Sequence, residues 1–271
     1  VRAIENTSFK KEDIFQHNGI WKCFETHSEL SSLQKDQFLQ NLNNTLQNFR
    51  EALFSSTHII FTFGTSWVYR DIGASTRLNE REIVANCHKL PQQNFKKELL
   101  SIEEISKSLQ NIFNKISEIN PVATIINTVS PVRHIKDGFT ENSLSKAHLI
   151  SAIQQTICHP EPVEGHQLST NHHQLKYFPS FEIMMDELRD YRFYAEDMLH
   201  PNKTAIEIIW QKFSGVWIAS ETNSVQKEIA TIQSGLLHRP FNPQSTEHLQ
   251  FIAQLQRKIS SLQKGFPHIQ F

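Results

Sequence analysis

The chain is poor in residues and patterns that mark several classes of protein. It has only three cysteines among 271 residues, and Cys23, Cys87 and Cys158 show no C-x-x-C spacing. Three cysteines cannot all pair within one chain, so a reducing, cytoplasmic setting is the simplest interpretation. No apolar run approaches the roughly 20 residues that a membrane-spanning helix needs, and the first residues contain no apolar signal core. We therefore expect a cytoplasmic protein that makes no membrane contact.

The net charge is close to zero, and the common nucleotide-binding motifs are absent from the sequence. The 27 basic and 28 acidic residues leave a formal net charge of −1, so no overall field would attract nucleic acid. Neither G-x-x-x-x-G-K-[ST] nor G-x-G-x-x-G occurs, so phosphate-loop and dinucleotide binding have no support. We expect no nucleic-acid partner and no cofactor. Hydrophobic residues make up 38% of the chain, which is enough for a packed core.

Short apolar runs alternate with amphipathic helices along most of the chain. Residues 57–64, 122–131 and 175–180 are predicted strands, because β-branched and aromatic residues are concentrated there. These strands lack polar alternation and are separated by helical stretches, which is typical of a parallel sheet covered on both faces. We therefore predict an α/β fold, a three-layer sandwich with a mainly parallel sheet.

The helices are predicted from apolar residues that recur at steps of three and four. The stripe of the first helix consists of Leu39, Leu42, Leu46, Phe49 and Leu53. The second helix begins after Ser101, which has Glu104 at the spacing of a capping box. Further helices are predicted near residues 143–157 and 181–189, and from Pro201 onward.

Composition divides the chain into two predicted domains. Residues 1–220 carry the α/β pattern, and residues 221–271 hold two Gln-rich helical stretches that we interpret as a helical C-terminal appendage. Residues 158–174 contain prolines and a glycine without apolar period, so they are predicted to be an inserted, solvated loop. Residues 65–100 are predicted to be irregular, with room for a small hairpin.

Polar clusters follow each of the three predicted strands, at residues 64–69, 130–138 and 190–200. The carboxyl ends of parallel strands meet at one edge of a sheet, and ligands bind there in open α/β folds. The last cluster contains Asp197-x-x-His200. One interpretation is that His200 is a general base and Asp197 orients it. The alternative is that Asp197 only forms hydrogen bonds near the start of the next helix.

Other residues near these clusters are candidates for binding. The candidates for oxyanion stabilisation or substrate binding are Gly64, Ser66, Asn86, His88, Arg133 and His134. A zinc site formed by Cys87, His88, His134 and His200 is a rival use of the same residues. No metal-ligand spacing supports that site, so we expect no metal.

Long motifs in the chain resemble those of one known family. The motifs are 61-FTFGTSWVYR-70, 84-VANCHKLP-91, 128-TVSPVRHIKDG-138, 141-ENSLSKAHL-149, 177-YFPSFEIMMDELRDYRFYAEDMLHP-201 and 238-HRPFNP-243. Together they resemble the GSCFA-domain family of bacterial proteins over about residues 10 to 250. That family is similar to the SGNH/GDSL hydrolases, which have a three-layer α/β fold, a serine nucleophile, glycine and asparagine oxyanion donors, and a late D-x-x-H block.

The resemblance implies roles for some residues but leaves the serine nucleophile unassigned. Asp197 and His200 match the D-x-x-H block, and Gly64 resembles the start of the oxyanion block, in which Ser66 replaces the asparagine. The Gly-Ser-Cys-Phe-Ala motif that names the family does not occur. We therefore expect that the chain begins downstream of the nucleophile and of the first strand, and that it folds poorly and lacks full activity.

Two functions follow from these observations. The resemblance implies hydrolysis of a small-molecule or carbohydrate ester through an acyl-serine intermediate. The alternative is a non-catalytic module that holds a ligand or partner with Arg133, His134 and the aromatic residues Tyr191, Phe193 and Tyr194.

Overall fold

The computed structural model describes residues 1–73, 83–158 and 174–271 of the chain. In chain order its elements are α1 (Arg2–Glu5), β1 (Phe15–His17), β2 (Ile20–Lys22), α2 (Lys35–Ser55), β3 (His58–Phe63), β4 (Trp67–Asp71), β5 (Ile83–Val84), β6 (Phe95–Leu99), α3 (Ile102–Ile119), β7 (Thr124–Val129), α4 (Phe139–Cys158), β8 (Leu175–Phe178), α5 (Ser180–Glu182), α6 (Lys203–Trp217), α7 (Asn223–Leu236) and α8 (Thr246–Gly265). Almost all of the predicted inserted loop, 158–174, lies outside the described residues.

A parallel sheet with the strand order β3-β7-β8 organises the first part of the chain. Ile59 pairs with Ile125 between β3 and β7, and Ile125 pairs with Leu175 of β8. All three strands coincide with predicted ones, and helices separate them in the sequence. The predicted α/β fold with a mainly parallel sheet is therefore confirmed.

Helices α3 and α4 cover one face of this sheet. The Ser101 hydroxyl accepts from the Glu104 N–H and the Glu104 carboxylate accepts from the Ser101 N–H, so the predicted capping box is present. The buried residues of this face are Ile105, Leu109, Phe113, Ile116, Ile125, Val129, Leu149, Ala152, Ile153 and Leu175. Burying each large apolar side chain contributes about 1.5–3 kcal/mol, so this layer is the main core of the sheet.

The strands of this sheet are buried unevenly. α5 contacts β7, and Met184, in the turn of π-helix that follows α5, is completely buried. By contrast, β3 alternates between exposed and half-buried residues, and Ile60 is 52% exposed. The interpretation of residues 57–64 as a buried strand is therefore wrong in its burial, because within the described residues β3 forms an edge of the sheet.

Two antiparallel units were not predicted in this form. β4 pairs with both β5 and β6, which makes a three-stranded sheet within residues 65–100, where a small hairpin was expected. β1 and β2 form a hairpin. Residues of this hairpin region pack on the first half of α2 in a cluster of Phe9, Ile14, Cys23, Phe38 and Leu42.

That cluster also corrects the predicted stripe of α2. Phe38 is completely buried, and Leu39 and Leu46 are only partly buried at the edge of the cluster. Phe49 is 56% exposed although the stripe predicted it to be buried. The hairpin region covers α2 near its start, α1 contacts the same helix, and Leu53 near its end is buried as predicted, so Phe49 is the exposed member of the stripe.

By contact density the chain divides into two compact units, Val1–Ala205 and Ile206–Phe271. Within the second unit, α7 and α8 pack around Ile232, Leu255, Ile259 and Leu262. Gly235 allows this approach, since a Cβ added there would lie 2.8 Å from Leu255 Cδ1. The helical C-terminal region is thus confirmed, and the predicted domain boundary after residue 220 stays a prediction.

No helix in the described parts of the chain is long and apolar enough to cross a membrane. Cys23 is buried, Cys87 is half-buried and Cys158 is exposed, and all three are unpaired. The cytoplasmic location stays a prediction.

Candidate active site

The carboxyl ends of β3 and β7 are joined by a lysine that sequence analysis did not select. The Lys146 ammonium, on α4, donates to the Gly64 carbonyl at 2.6 Å and to the Ser130 carbonyl at 2.7 Å. These two residues directly follow the last residues of β3 and β7. Lys146 therefore holds together the first turns of the two polar segments that leave the sheet.

The burial of Lys146 is unusual for a charged residue. It is only 1% exposed, and burial lowers the pKa of its ammonium to about 8. Its nitrogen also lies 5.7 Å from the centre of the Phe181 ring. The sequence did contain a signal, because Lys146 precedes Leu149 and Ile153 at helical spacing and shares their buried face.

Ser66 lies beside this lysine and is engaged within the protein. Its N–H donates to the Ser145 hydroxyl at 2.8 Å, and its hydroxyl donates to the Ser145 carbonyl at 3.1 Å. Ser66 is 2% exposed. An oxyanion role for Ser66 would require these hydrogen bonds to break, so in this arrangement the residue anchors α4 to the end of β3.

Gly64 and His134 meet at the same edge. A Cβ added to Gly64 would lie 3.5 Å from Nε2 of His134, which is ordinary contact. The backbone N–H of His134 donates to the side chain of Asn142 at 2.8 Å, and this bond holds the His134 backbone beside α4. Burial, followed by the charge of Lys146, lowers the pKa of His134. The neutral imidazole is therefore favoured beside the Gly64 backbone.

Arg133 connects the segment after β7 to the candidate catalytic turn. Its Nη2 donates to the Met198 carbonyl at 2.6 Å. Its guanidinium carbon lies 5.2 Å from the centre of the Tyr194 ring, within cation–π range. Arg133 Nε is buried and has no hydrogen-bond partner among the described residues.

Asp197 and His200 form a closed turn with a direct side-chain contact. The Asp197 Oδ1 accepts from the N–H groups of Leu199 and His200, both at 2.9 Å. Its Oδ2 lies 2.5 Å from Nδ1 of His200. These backbone hydrogen bonds, followed by the His200 ring, lower the pKa of Asp197 to about 2. A carboxylate that stays ionised thus contacts one ring nitrogen and leaves Nε2 for other partners.

The structure corrects the predicted start of the helix that follows. α6 begins at Lys203 and not at Pro201. The Asn202 side chain accepts from the Ala205 N–H at 3.0 Å, as an N-cap does. Pro201 is instead paired with Tyr194 in an isolated antiparallel bridge. Asp197 therefore does not cap α6, and its hydrogen bonds hold the turn that carries His200.

Asn86 and His88 belong to a different neighbourhood. The Asn86 side chain accepts from the His88 N–H at 2.7 Å. The His88 ring is buried against Phe15 and contacts the Cys23 carbonyl through Nε2 at 2.6 Å. None of these contacts involves the carboxyl edge of the parallel sheet. Their predicted substrate role stays a prediction that these contacts do not support.

Within residues 1–73, 83–158 and 174–271, no three His, Cys, Asp or Glu side chains gather as a metal ion would require. His88 lies by the β1–β2 hairpin, whereas His134 and His200 lie near the carboxyl edge of the sheet. The rival zinc interpretation therefore gains no support from the geometry.

The fold and site define an α/β sandwich protein with an aspartate–histidine pair at the carboxyl edge of its parallel sheet. A model of the GSCFA family matches residues 1–213, and a model of the GSCFA domain protein C-terminal domain matches residues 229–271. The chain therefore belongs to the GSCFA family, which confirms the resemblance of its motifs. A search among curated proteins finds no match.

Proposed function

We propose that this chain carries the acid–base half of a serine-type ester hydrolase. The observation that carries the proposal is the contact between Asp197 Oδ2 and His200 Nδ1. In such a pair the carboxylate selects the tautomer with a proton on Nδ1, which leaves the Nε2 lone pair free to accept a proton. The predicted similarity of the GSCFA family to SGNH hydrolases supports the same assignment.

The proposed reaction uses His200 twice. First, Nε2 takes the proton of a serine hydroxyl while the oxygen attacks the ester carbonyl, and the imidazolium is stabilised by Asp197. His200 then returns that proton to the departing alcohol, which leaves an acyl-serine. Water hydrolyses the acyl-serine by the same two proton transfers in turn. Among the described residues no hydroxyl forms a hydrogen bond with Nε2, so the serine is a component that the proposal requires.

The accessibility of His200 also supports the proposal. The His200 side chain is 60% exposed, so substrate can reach the ring. Three hydrogen bonds hold the turn: from the His200 N–H to Asp197, from the Met198 N–H to the Ala195 carbonyl, and from Arg133 to the Met198 carbonyl. A histidine that is both exposed and oriented is suited to transfer protons, because orientation reduces the entropy lost in the transition state.

Hydrolysis of 4-nitrophenyl acetate by the protein tests the proposal. We expect His200→Gln to lower kcat by about 10³-fold or more, as loss of a catalytic base does in triad enzymes. His58→Gln is the matched control, because exposed His58 lies at the opposite, amino end of β3. Activity that survives unchanged in His200→Gln would refute the proposal.

A non-catalytic binding module is the second candidate. It is favoured by the absence of a hydroxyl partner for His200 Nε2 among the described residues, together with the 64% exposure of Tyr191 beside Tyr194. If the protein and its His200→Gln variant are equally inactive on several short aryl esters, this function replaces the first.

A further inference from the structure

The carboxyl edge of the parallel sheet carries positive charge without acidic partners. Lys146 donates to two backbone carbonyls, and Arg133 donates to a third. Among the described residues, neither side chain lies within 4.0 Å of a carboxylate oxygen, whereas surface pairs such as Arg70–Glu98 do. A buried ammonium held only by neutral groups retains most of its field, because little water is present to screen it.

Three acidic residues near this edge have partners other than Lys146 and Arg133. Asp197 accepts two backbone hydrogen bonds and contacts the His200 ring. Asp137, which faces His134, forms an ion pair with Lys97. Glu182, the residue after Phe181, accepts a hydrogen bond from the Tyr177 hydroxyl at 2.7 Å. None of these carboxylates neutralises Lys146 or Arg133.

Arg133 also has N–H groups that form no hydrogen bond among the described residues. Only its Nη2 has a hydrogen-bond partner in the described part of the chain, and its Nε is buried without one. Nη1 has no hydrogen-bond partner among the described residues and is not buried, so it is the donor that a ligand oxyanion can reach. The acceptor of Nη2 is the Met198 carbonyl, two residues before His200. A group bound by Arg133 would therefore lie close to the proposed catalytic histidine.

We infer that the site takes esters that carry a carboxylate away from the ester bond. The field of Lys146 draws an anion toward the strand ends, and the guanidinium of Arg133 binds the carboxylate directly. Lys146 does not touch the ligand, because it is 1% exposed. This inference rests on the proposed ester hydrolysis, since it names the substrate class of the same site.

A matched set of substrates tests the inference with the protein. The set consists of the 4-nitrophenyl monoester of adipic acid, its methyl ester, and the 4-nitrophenyl ester of 6-aminohexanoic acid. We expect kcat/KM to be highest for the anionic ester and lowest for the cationic one, with about a tenfold step from anionic to neutral. The anionic advantage should shrink as salt is raised, because screening weakens it. Equal kcat/KM values for the three esters would overturn the inference and leave the hydrolase proposal intact.

Variants of Arg133 separate binding of the carboxylate from anchoring of the turn. Arg133→Gln should remove about tenfold of the preference for the anionic over the neutral ester, whereas Arg133→Lys should keep most of it. Arg192→Gln is the control, because the Arg192 side chain pairs with Asp190 on the surface. A uniform loss on both esters in Arg133→Gln would mean that Arg133 only holds the Met198 turn, and the inference would fail.

Binding of adipate alone gives a readout that does not need catalysis. We expect adipate, but not 1,6-hexanediol, to shift the NMR signals of the His134 and His200 rings, and Arg133→Gln to abolish the shift. If no ester is hydrolysed but these shifts occur, the hydrolase proposal fails and the carboxylate site stands. If adipate causes no shift, the carboxylate site is refuted whatever the esterase assay shows.

Discussion

At the scale of single residues, the proposed function depends on how the Asp197 carboxylate is hydrogen-bonded. Asp197 receives two backbone N–H groups on one oxygen and a ring nitrogen on the other. The backbone groups are the main reason why the pKa of Asp197 falls from 3.8 to about 2. The turn therefore remains formed around an ionised carboxylate across the whole neutral range, and His200 keeps its partner there.

This bonding predicts an acid-titration result. Because the folded pKa of Asp197 is depressed, its stabilisation of the turn is complete above pH 3.8 and is lost as pH falls toward 2. An NMR titration of the Asp197 carboxyl carbon should have its midpoint near 2. In His200→Ala the backbone N–H groups remain, so the midpoint should stay well below 3.8. A midpoint near 4 in the wild-type protein would contradict the observed turn.

At the scale of elements, α4 joins the ends of two parallel strands through Lys146. The pKa of this lysine is lowered from 10.5 to about 8 by burial, so the folded state disfavours its charge. The penalty is complete below pH 8 and is relieved as pH rises toward 10.5, since the unfolded chain then binds more protons.

We therefore predict that the wild-type protein gains stability relative to Lys146→Met as pH is raised from 7.5 to 10. The gain should be at most about 3 kcal/mol, following the size of the pKa shift. Urea unfolding at several pH values measures it. Lys107→Met, on the exposed side of α3, removes a charge without burial and should show no such gain. A flat difference between wild type and Lys146→Met would contradict the prediction.

At the scale of the whole molecule, β3 leaves a free edge among the described strands. Ile60 is 52% exposed on this strand, and unpaired backbone groups of an edge strand can pair with another chain. We predict that Ile60→Lys lowers self-association, because a lysine on an edge strand opposes strand pairing. Sedimentation or light scattering at increasing protein concentration measures the effect.

Val122→Lys is the matched control for the edge. Val122 is 76% exposed and lies just before β7, outside every described strand. The same gain of charge there should leave self-association nearly unchanged. If both substitutions reduce association equally, net charge and not the edge of β3 is responsible.

Elements with strong local signals could be predicted from the sequence. The capping box of Ser101 and Glu104 placed the start of α3 correctly, because a cap is formed by residues three positions apart. The strand β7 was predicted from its continuous apolar run, since a central parallel strand is buried on both faces. The exposure of β3 was missed, because burial depends on which strand becomes the neighbour.

Only part of the candidate site could be predicted, because a sequence pattern does not show which distant segments become neighbours in the fold. Asp197 and His200 are three positions apart, so one turn can join them and their spacing was visible in the sequence. Asn86 and His88 looked equally polar, yet they pack by the β1–β2 hairpin. Lys146 was overlooked because its acceptors are 82 and 16 residues away in the sequence.

By itself the sequence determined the α/β class, the succession of the three parallel strands and their helices along the chain, the family, and the aspartate–histidine spacing. All of these depend on residues that are near one another in the chain or on long motifs. Only the tertiary structure decided that Arg133 anchors the turn of Asp197 and His200, that Ser66 is engaged by Ser145, and that Lys146 is buried at the strand ends. These contacts join segments that folding brings together, and their energies come from burial and geometry that no local pattern contains.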